Sequence, residues 1–323
     1  MEIFIFFIIN SFAVYLLASK SNIIGKKLNL LDHPSKFKIH TLPVPFIGGI
    51  IIYVLLLAHF IFCLFFKANL NLFMHLYISA FFLIGLIDDK FNLNSYYKIL
   101  LVILISLILI TFDKSFLIHK IFFEISNNEF YFGKLKVPVT IFCILLLYIA
   151  INMSDGINCL LISFTAIALI VINIIILKGN LDFVDFSLFS SLLILLYFNY
   201  NNKIFLGNTG ANLLAAYFIY LLINGNYHNS IDVFQVISLF LIMGIDMVRL
   251  ILIRIYNKQN PFHRDLNHFH HILMKKFGIR LTLVIYLMLS FMPIILSFIS
   301  NVNTIMYIPF QILIYFTVVY KIT

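Results

Sequence analysis

The chain has 323 residues, 63% of them hydrophobic and only 11% charged, with a mean hydropathy of +1.06 and a formal net charge of +9. A soluble domain carries roughly a quarter of its residues as charge, so a water-soluble globular fold is excluded. The basic excess lies at the ends of apolar segments, where it suits an anionic leaflet and anionic substrates, and no nucleic-acid partner is expected.

Apolar segments follow one another at 3–19, 46–66, 72–87, 97–112, 137–153, 157–177, 183–200, 204–223, 233–255, 281–300 and 304–320. The longer runs, Phe46–Phe66, Ile157–Leu177, Val233–Ile255 and Leu281–Ser300, match the roughly 20 residues that a helix needs to cross hydrocarbon. Backbone groups in lipid must bond internally, and these runs lack the alternation of barrel strands. The expected fold is an all-α integral membrane protein, a polytopic bundle of about 10–11 transmembrane helices in a single domain, 1–323. The first segment begins with Glu2 rather than a basic cluster and has no small-residue cleavage pattern before Lys20, so it is kept as a span.

Charge orients the bundle. Alternate connections and the C-terminus carry Lys20, Lys26, Lys27, Lys36, Lys38, Lys90, Lys98, Lys203, Arg249, Arg254, Lys258, Arg264, Lys275, Lys276, Arg280 and Lys321, 16 of the 22 basic residues. The positive-inside rule places that side in the cytoplasm and the N-terminus outside.

Most of the polar motifs fall on this same side. Asp88-Asp89 ends one span, where adjacent carboxylates repel unless a cation or proton compensates; they read as a Mg²⁺–diphosphate site or as a solvated helix cap. On the other side, the 113–136 connection reads as a small hairpin or a packed loop. Asn152, Asp155 and Asn158 lie between two spans. Asp155-Gly156 precedes one span and Gly207-Asn208-Thr209-Gly210 opens another, and free N–H groups at such helix starts suit phosphate. His268, His270 and His271 lack a second cluster with zinc spacing, which leaves phosphate donation or an interfacial polar loop. Cys63, Cys143 and Cys159 are too few and too scattered for a disulfide framework and read as packing residues, as do the intramembrane His59, His75 and Asn173. Polar groups gathered on one side also argue against a transporter, which places them at the midplane.

Together these motifs resemble the polyprenyl-phosphate N-acetylhexosamine-1-phosphate transferase family (family 4 of the membrane phosphoglycosyl transferases, distantly related to phospho-N-acetylmuramoyl-pentapeptide transferase). The matching blocks, in family order, are Asp32-His33-Pro34 to Lys38-Ile39-His40, Pro43-Val44-Pro45, Gly48-Gly49, Gly85-Leu86-Ile87-Asp88-Asp89, Asn152-Met153-Ser154-Asp155-Gly156-Ile157-Asn158, Phe205-Leu206-Gly207-Asn208-Thr209-Gly210, Asp246, Arg249 and Pro261-Phe262 to His271. The resemblance implies transfer of a sugar-1-phosphate from a UDP-sugar to undecaprenyl phosphate, releasing UMP, with Mg²⁺ (or Mn²⁺) as cofactor, at the cytoplasmic face of a bacterial plasma membrane. It implies catalytic roles for Asp88 and Asp89 and metal contacts from Asp88, Asp89 and Asn208. It implies substrate contacts from Asn152, Asp155, Asn158, Phe205, His268, His270 and His271, with Lys38 and His40 expected to meet phosphate or nucleotide. Membrane lipid is an expected partner, and a homodimer is compatible with the reading. Four positions depart from the family: Asn208 and Asn158 stand where Asp is usual, Cys159 where Gly is common, and Phe37 where Arg is common. A catalytically impaired member acting as a binding or assembly partner is therefore the alternative.

Overall fold

A computed structural model describes residues 2–34, 42–66, 70–179, 181–228, 231–262 and 265–322. Phe37, Lys38, His40 and Arg264 lie outside the described residues.

Each expected apolar segment forms a helix. In chain order the elements are α1 (Glu2–Ser19), α2 (Ser21–Leu28), β1 (Leu31–Asp32), β2 (Val44–Pro45), α3 (Gly48–Phe66), α4 (Leu72–Phe91), α5 (Ser95–Phe112), β3 (Lys120–Phe123), β4 (Asn128–Tyr131), α6 (Lys136–Ser154), α7 (Leu160–Ile170), α8 (Phe183–Tyr200), α9 (Gly207–His228), α10 (Val233–Tyr256), α11 (Phe269–Ser300) and α12 (Ile308–Ile322). Among the described residues, eight helices are long and apolar enough to cross a membrane, or nine if α1 and α2, bent by 67°, form one span. The protein is thus a multi-pass, all-α membrane protein. α7 falls outside the eight because its α-helical part is short and continues as a π turn, Val171–Ile176. α9 falls outside because both of its ends are polar, from Gly207-Asn208-Thr209-Gly210 to Asn224-Gly225-Asn226.

Asparagine sets many of the boundaries. Asn71 accepts the Met74 N–H at 3.1 Å to start α4, and Asn94 accepts the Tyr96 N–H at 3.1 Å to start α5. Asn29, Asn92 and Asn301 end α2, α4 and α11 with φ of 55°, 50° and 55°. Asparagine tolerates this left-handed conformation better than any side chain but glycine's hydrogen, so it does the work of a C-terminal glycine.

The chain divides into two compact units. The first comprises Met1–Asp113, Leu161–Leu169 and Asn180–Tyr220. In it β1 pairs with β2 antiparallel, Leu31 opposite Pro45. The chain then passes into α3, whose first two amides are bonded outside their own helix: Gly48 N–H donates to Phe205 O at 2.9 Å and Gly49 N–H to Leu206 O at 3.0 Å, while Phe205 N–H donates to Pro45 O at 2.9 Å. The intramembrane His59 and His75 face each other at 3.5 Å between α3 and α4.

The second unit comprises Lys114–Leu160, Ile170–Gly179 and Leu221–Thr323. The 113–136 connection contains a hairpin, with Lys120 opposite Tyr131 and Phe123 opposite Asn128. α11 starts at Phe269, earlier than the apolar run at 281 indicated, because a first helical stretch runs up to Gly278 (φ 71°, ψ 171°) and is kinked there from the long apolar part. α12 presents two buried residues, Gln311 and Tyr315. Gln311 donates to Ser238 O on α10 at 2.9 Å and to Leu289 O on α11 at 2.7 Å, which ties the last helix down by a satisfied buried amide.

Candidate active site

The paired aspartates divide their labour. Asp89 accepts the Asn208 N–H at 2.9 Å on Oδ1, and the Thr209 N–H at 2.9 Å and Thr209 hydroxyl at 2.5 Å on Oδ2. It is the N-terminal cap of α9, supplied from α4, and it satisfies amides that a helix start otherwise leaves open. The amides of Asn208 and Thr209 are therefore taken, contrary to the expectation that this helix start offers them to phosphate. Asp88 is buried, 2% exposed, with Lys98 Nζ at 2.9 Å from its Oδ2. The turn Asn92–Asn94 brings α5 back along α4, so Lys98 reaches the carboxylate ten residues before it.

Glycines make this junction possible. A Cβ on Gly85 would lie 2.5 Å from Thr209 Cα and 2.7 Å from Asn208 O. One on Gly49 would lie 2.2 Å from Gly210 N. Gly207 has φ +72°, and a Cβ there would meet Asp89 Oδ2 at 2.7 Å. α3, α4 and the first turn of α9 thus approach backbone to backbone, as only glycine permits. Phe205 is half-buried and Asn208 half-buried at the same turn.

In the second unit the histidines form one cluster. Asp246 of α10 accepts four hydrogen bonds. His268 Nδ1 lies at 3.0 Å from Oδ2; Arg249 Nη2 (2.8 Å), Tyr315 Oη (2.8 Å) and the Phe269 N–H (3.1 Å) donate to Oδ1. A carboxylate only accepts, so Nδ1 of His268 carries the proton. The His268 and His270 rings stack at 10° and 5.3 Å, and His271 lies 4.4 Å from His270. His270 is buried, and among the described residues neither its Nε2 nor Nδ1 of His271 has a hydrogen-bond partner. Buried polar atoms are mostly paired in native folds, so these two are exceptions within the cluster. The loop that carries them is braced by Arg254, which donates to Asp265 Oδ2 at 3.1 and 3.0 Å and to Pro261 O at 2.7 Å. Burial works against ionisation of Asp265, but the Asn267 N–H and the Arg254 guanidinium outweigh it and hold the carboxyl below its usual range.

Gly156 packs against this cluster: a Cβ there would lie 2.1 Å from His270 Nε2 and 2.9 Å from His271 Nε2. Gly156→Ala is expected to displace both rings and shift their ring-nitrogen resonances, with little change in thermal midpoint. Unshifted resonances in Gly156→Ala would show that the imidazoles need not sit where they do. Asn152, on the last turn of α6, donates to Tyr148 O at 2.9 Å. Asp155 is the C-cap of α6 and lies five residues before α7, so it does not open a helix as its spacing suggested. The intervening Asp155–Cys159 stretch turns through Cys159 at φ 68°, the conformation that suits the glycine common at that place in the family. Cys159 is buried, as a small packing group is. Asn158 is half-buried in the same turn.

The first unit therefore brings together Asp88, Asp89, Phe205 and Asn208. The second brings together His268, His270 and His271 and also carries Asn152, Asp155 and Asn158. Sequence reasoning missed Lys98, Arg254 and Tyr315 as members of these clusters. Lys98 was legible as a cation just past a short turn after Asp88, whereas the reach of Tyr315 from the last helix leaves no trace in local spacing.

Among the described residues no group of three or more His, Cys, Asp or Glu is arranged to hold a metal ion. The oxygens of Asp88 and Asn208 and the one uncommitted lone pair of Asp89 are a hard donor set of the kind Mg²⁺ takes, and Mg²⁺ is commonly held by one or two carboxylates with substrate phosphate completing its sphere. The donors fit a metal shared with substrate rather than an all-protein cage.

The sequence model of glycosyl transferase family 4 matches residues 71–226, which span α4 through α9 and include both aspartates, Asn208 and Gly156. The chain is 25% identical over its whole length, and 92% of the relative's, to the probable undecaprenyl-phosphate N-acetylglucosaminyl 1-phosphate transferase of Bacillus subtilis (strain 168). It is 28% identical, over 86% of its length and 84% of the relative's, to the undecaprenyl-phosphate alpha-N-acetylglucosaminyl 1-phosphate transferase of Thermotoga maritima. The protein of that same name from Escherichia coli (strain K12) is 23% identical over 78% of this chain and 71% of its own. With motif blocks held at one glycine-packed helix junction and one histidine cluster, the chain is similar to glycosyl transferase family 4 over residues 71–226 and to transferases of these names over most of its length.

Proposed function

We propose that this protein transfers an N-acetylhexosamine-1-phosphate from a UDP-sugar to a polyprenyl phosphate, undecaprenyl phosphate in the first instance, and releases UMP. The reaction initiates a cell-surface glycan at the cytoplasmic face of a bacterial plasma membrane. The observation that carries this reading is Asp88, a carboxylate buried against Lys98 beside the capped start of α9 in a chain similar throughout to transferases of that name.

In the reaction an oxygen of the acceptor phosphate attacks the β-phosphorus of the donor. A new P–O bond forms there, and the bond from the β-phosphorus to the bridging oxygen breaks, the electron pair leaving with UMP. Both substrates are anionic, so the chain must offset charge before the phosphates can meet. Lys98 fixes the direction of the Asp88 carboxylate, while Asp89 holds the α9 start rigid. Mg²⁺ bound by Asp88 and Asn208 would neutralise diphosphate charge and polarise the β-phosphorus. His268, oriented by Asp246, and the neighbouring His270 and His271 supply imidazole groups to phosphate oxygens. Phe205 offers a ring for the uracil, and Asn152, Asp155 and Asn158 offer polar contacts to the nucleotide. Lys38 and His40 belong to the same proposal as donors from the first cytoplasmic connection.

The test is UMP release by purified protein in detergent with undecaprenyl phosphate, Mg²⁺ and a panel of UDP-sugars. Absence of UMP with every donor would overturn the proposal. One observation favours a second reading, a catalytically impaired member acting as a binding or assembly partner: Asn208 places a neutral amide where the family has a carboxylate. An amide oxygen is the poorer Mg²⁺ ligand, so Asn208→Asp is expected to lower the Mg²⁺ concentration at half-maximal rate by about ten-fold, about 1.4 kcal/mol of binding. If wild type is silent and Asn208→Asp releases UMP, the second reading holds.

A further inference from the structure

The last helix reaches into the histidine cluster through one hydroxyl. Tyr315 on α12 is fully buried; its Oη donates to Asp246 Oδ1 at 2.8 Å and accepts from Arg249 Nε at 2.8 Å. Arg249 in turn donates to Asp246 at 2.8 Å and to Asn267 O at 2.7 Å, one residue before His268. Asp246 holds Nδ1 of His268 at 3.0 Å. The hydroxyl therefore sits where it locks the carboxylate and the guanidinium at once. Gln311, one turn earlier on the same face of α12, fixes the helix that delivers it.

We infer that Tyr315 is a positioning residue, which acts through Asp246 to hold His268 as the Nδ1–H tautomer with Nε2 turned outward to a phosphate oxygen. The inference rests on the proposed phosphate role of His268. Asp246 alone has free rotation about its side chain; with Oδ1 held by Tyr315, Arg249 and the Phe269 amide, only Oδ2 remains for the imidazole, and the ring can take one orientation. Groups that orient a reacting histidine from behind typically contribute ten- to a hundred-fold, as outer partners of ligating histidines do. α12 thereby becomes part of the transfer machinery and not only a membrane anchor.

Tyr315→Phe removes the hydroxyl and keeps the ring. The expected result is a fall in kcat of about ten-fold with the donor KM within about two-fold, and a thermal midpoint close to wild type. In protein carrying ring-nitrogen-labelled histidine, with His268 assigned by His268→Gln, wild type should show one Nδ1–H tautomer and Tyr315→Phe a mixture. Tyr307→Phe also removes a bonded hydroxyl from the C-terminal region, one that meets Ser300 at 3.0 Å, and should change neither readout. Wild-type kcat together with a single His268 tautomer in Tyr315→Phe would overturn the inference. If Tyr315→Phe does not fold, Asp246→Asn reads the next link, and an undisturbed His268 signal there overturns it equally. Should wild type release no UMP, the proposed function fails, and the tautomer measurement still decides the relay.

Discussion

Asp88→Asn and Asp89→Asn are expected to abolish or cripple transfer by different routes, and only one of them should loosen the fold. Asp89→Asn replaces an all-acceptor group with one that must aim either an NH₂ at the Thr209 amide and hydroxyl or its single oxygen at them while abandoning Asn208. Unsatisfied amides at a buried helix start, plus the lost charge at the positive end of α9, should destabilise by about 2 kcal/mol. Transfer should fall about a hundred-fold as the α9 turn shifts. Asp88→Asn leaves no helix start uncapped, and Lys98, 19% exposed, can turn to water. Its cost in stability should be under about 1 kcal/mol, while transfer falls about a thousand-fold because the charge itself is used. Thermal midpoints and kcat measured side by side separate the two; equal midpoints would contradict the capping role, and full activity of Asp88→Asn would remove it from the site.

Gly49→Ala carries the largest expected structural effect. Its Cβ would stand 2.2 Å from Gly210 N, 2.5 Å from Gly210 Cα and 2.6 Å from Thr209 C, all backbone atoms of a helix that Asp89 holds in place. No side-chain rotation relieves such an overlap, so α3 and α9 must separate, at about 3 kcal/mol or more. The same substitution at Gly244 on α10 meets nothing within 4 Å. There the helix-favouring methyl should leave stability unchanged or raise it by up to about 1 kcal/mol. Equal thermal midpoints for Gly49→Ala and wild type would mean the helices are not in backbone contact.

The helices were legible in the sequence because hydrophobic length alone determines them. Even α9, whose polar first turn lowers its apolarity, lies where the 204–223 run indicated. The division of Asp88 from Asp89 was not legible, since two identical neighbours on one helix end carry no mark of which faces a distant turn 120 residues on. Nor was the early start of α11: the His-rich run is too polar to read as helix, and it is helical because Phe269 donates to Asp246 and buries its ring. Asp155 read as a helix opener because an apolar span follows it from Ile157, but α6 runs on to Ser154 and Asp155 closes it.

The capping of α9 from α4 carries an electrostatic consequence. An incoming phosphate usually finds the amino end of a helix to be a partial positive pole of about half an elementary charge. Here that pole already has a resident anion, because the Asp89 carboxylate lies on the first two amides. The helix end is a neutralised surface, and a naked diphosphate approaching it gains nothing from the dipole and is repelled by the carboxylate. On the proposed reaction, attraction would come from mobile charge, a cation arriving with the substrate, and the junction would favour a phosphate escorted by its counterion over one that comes alone.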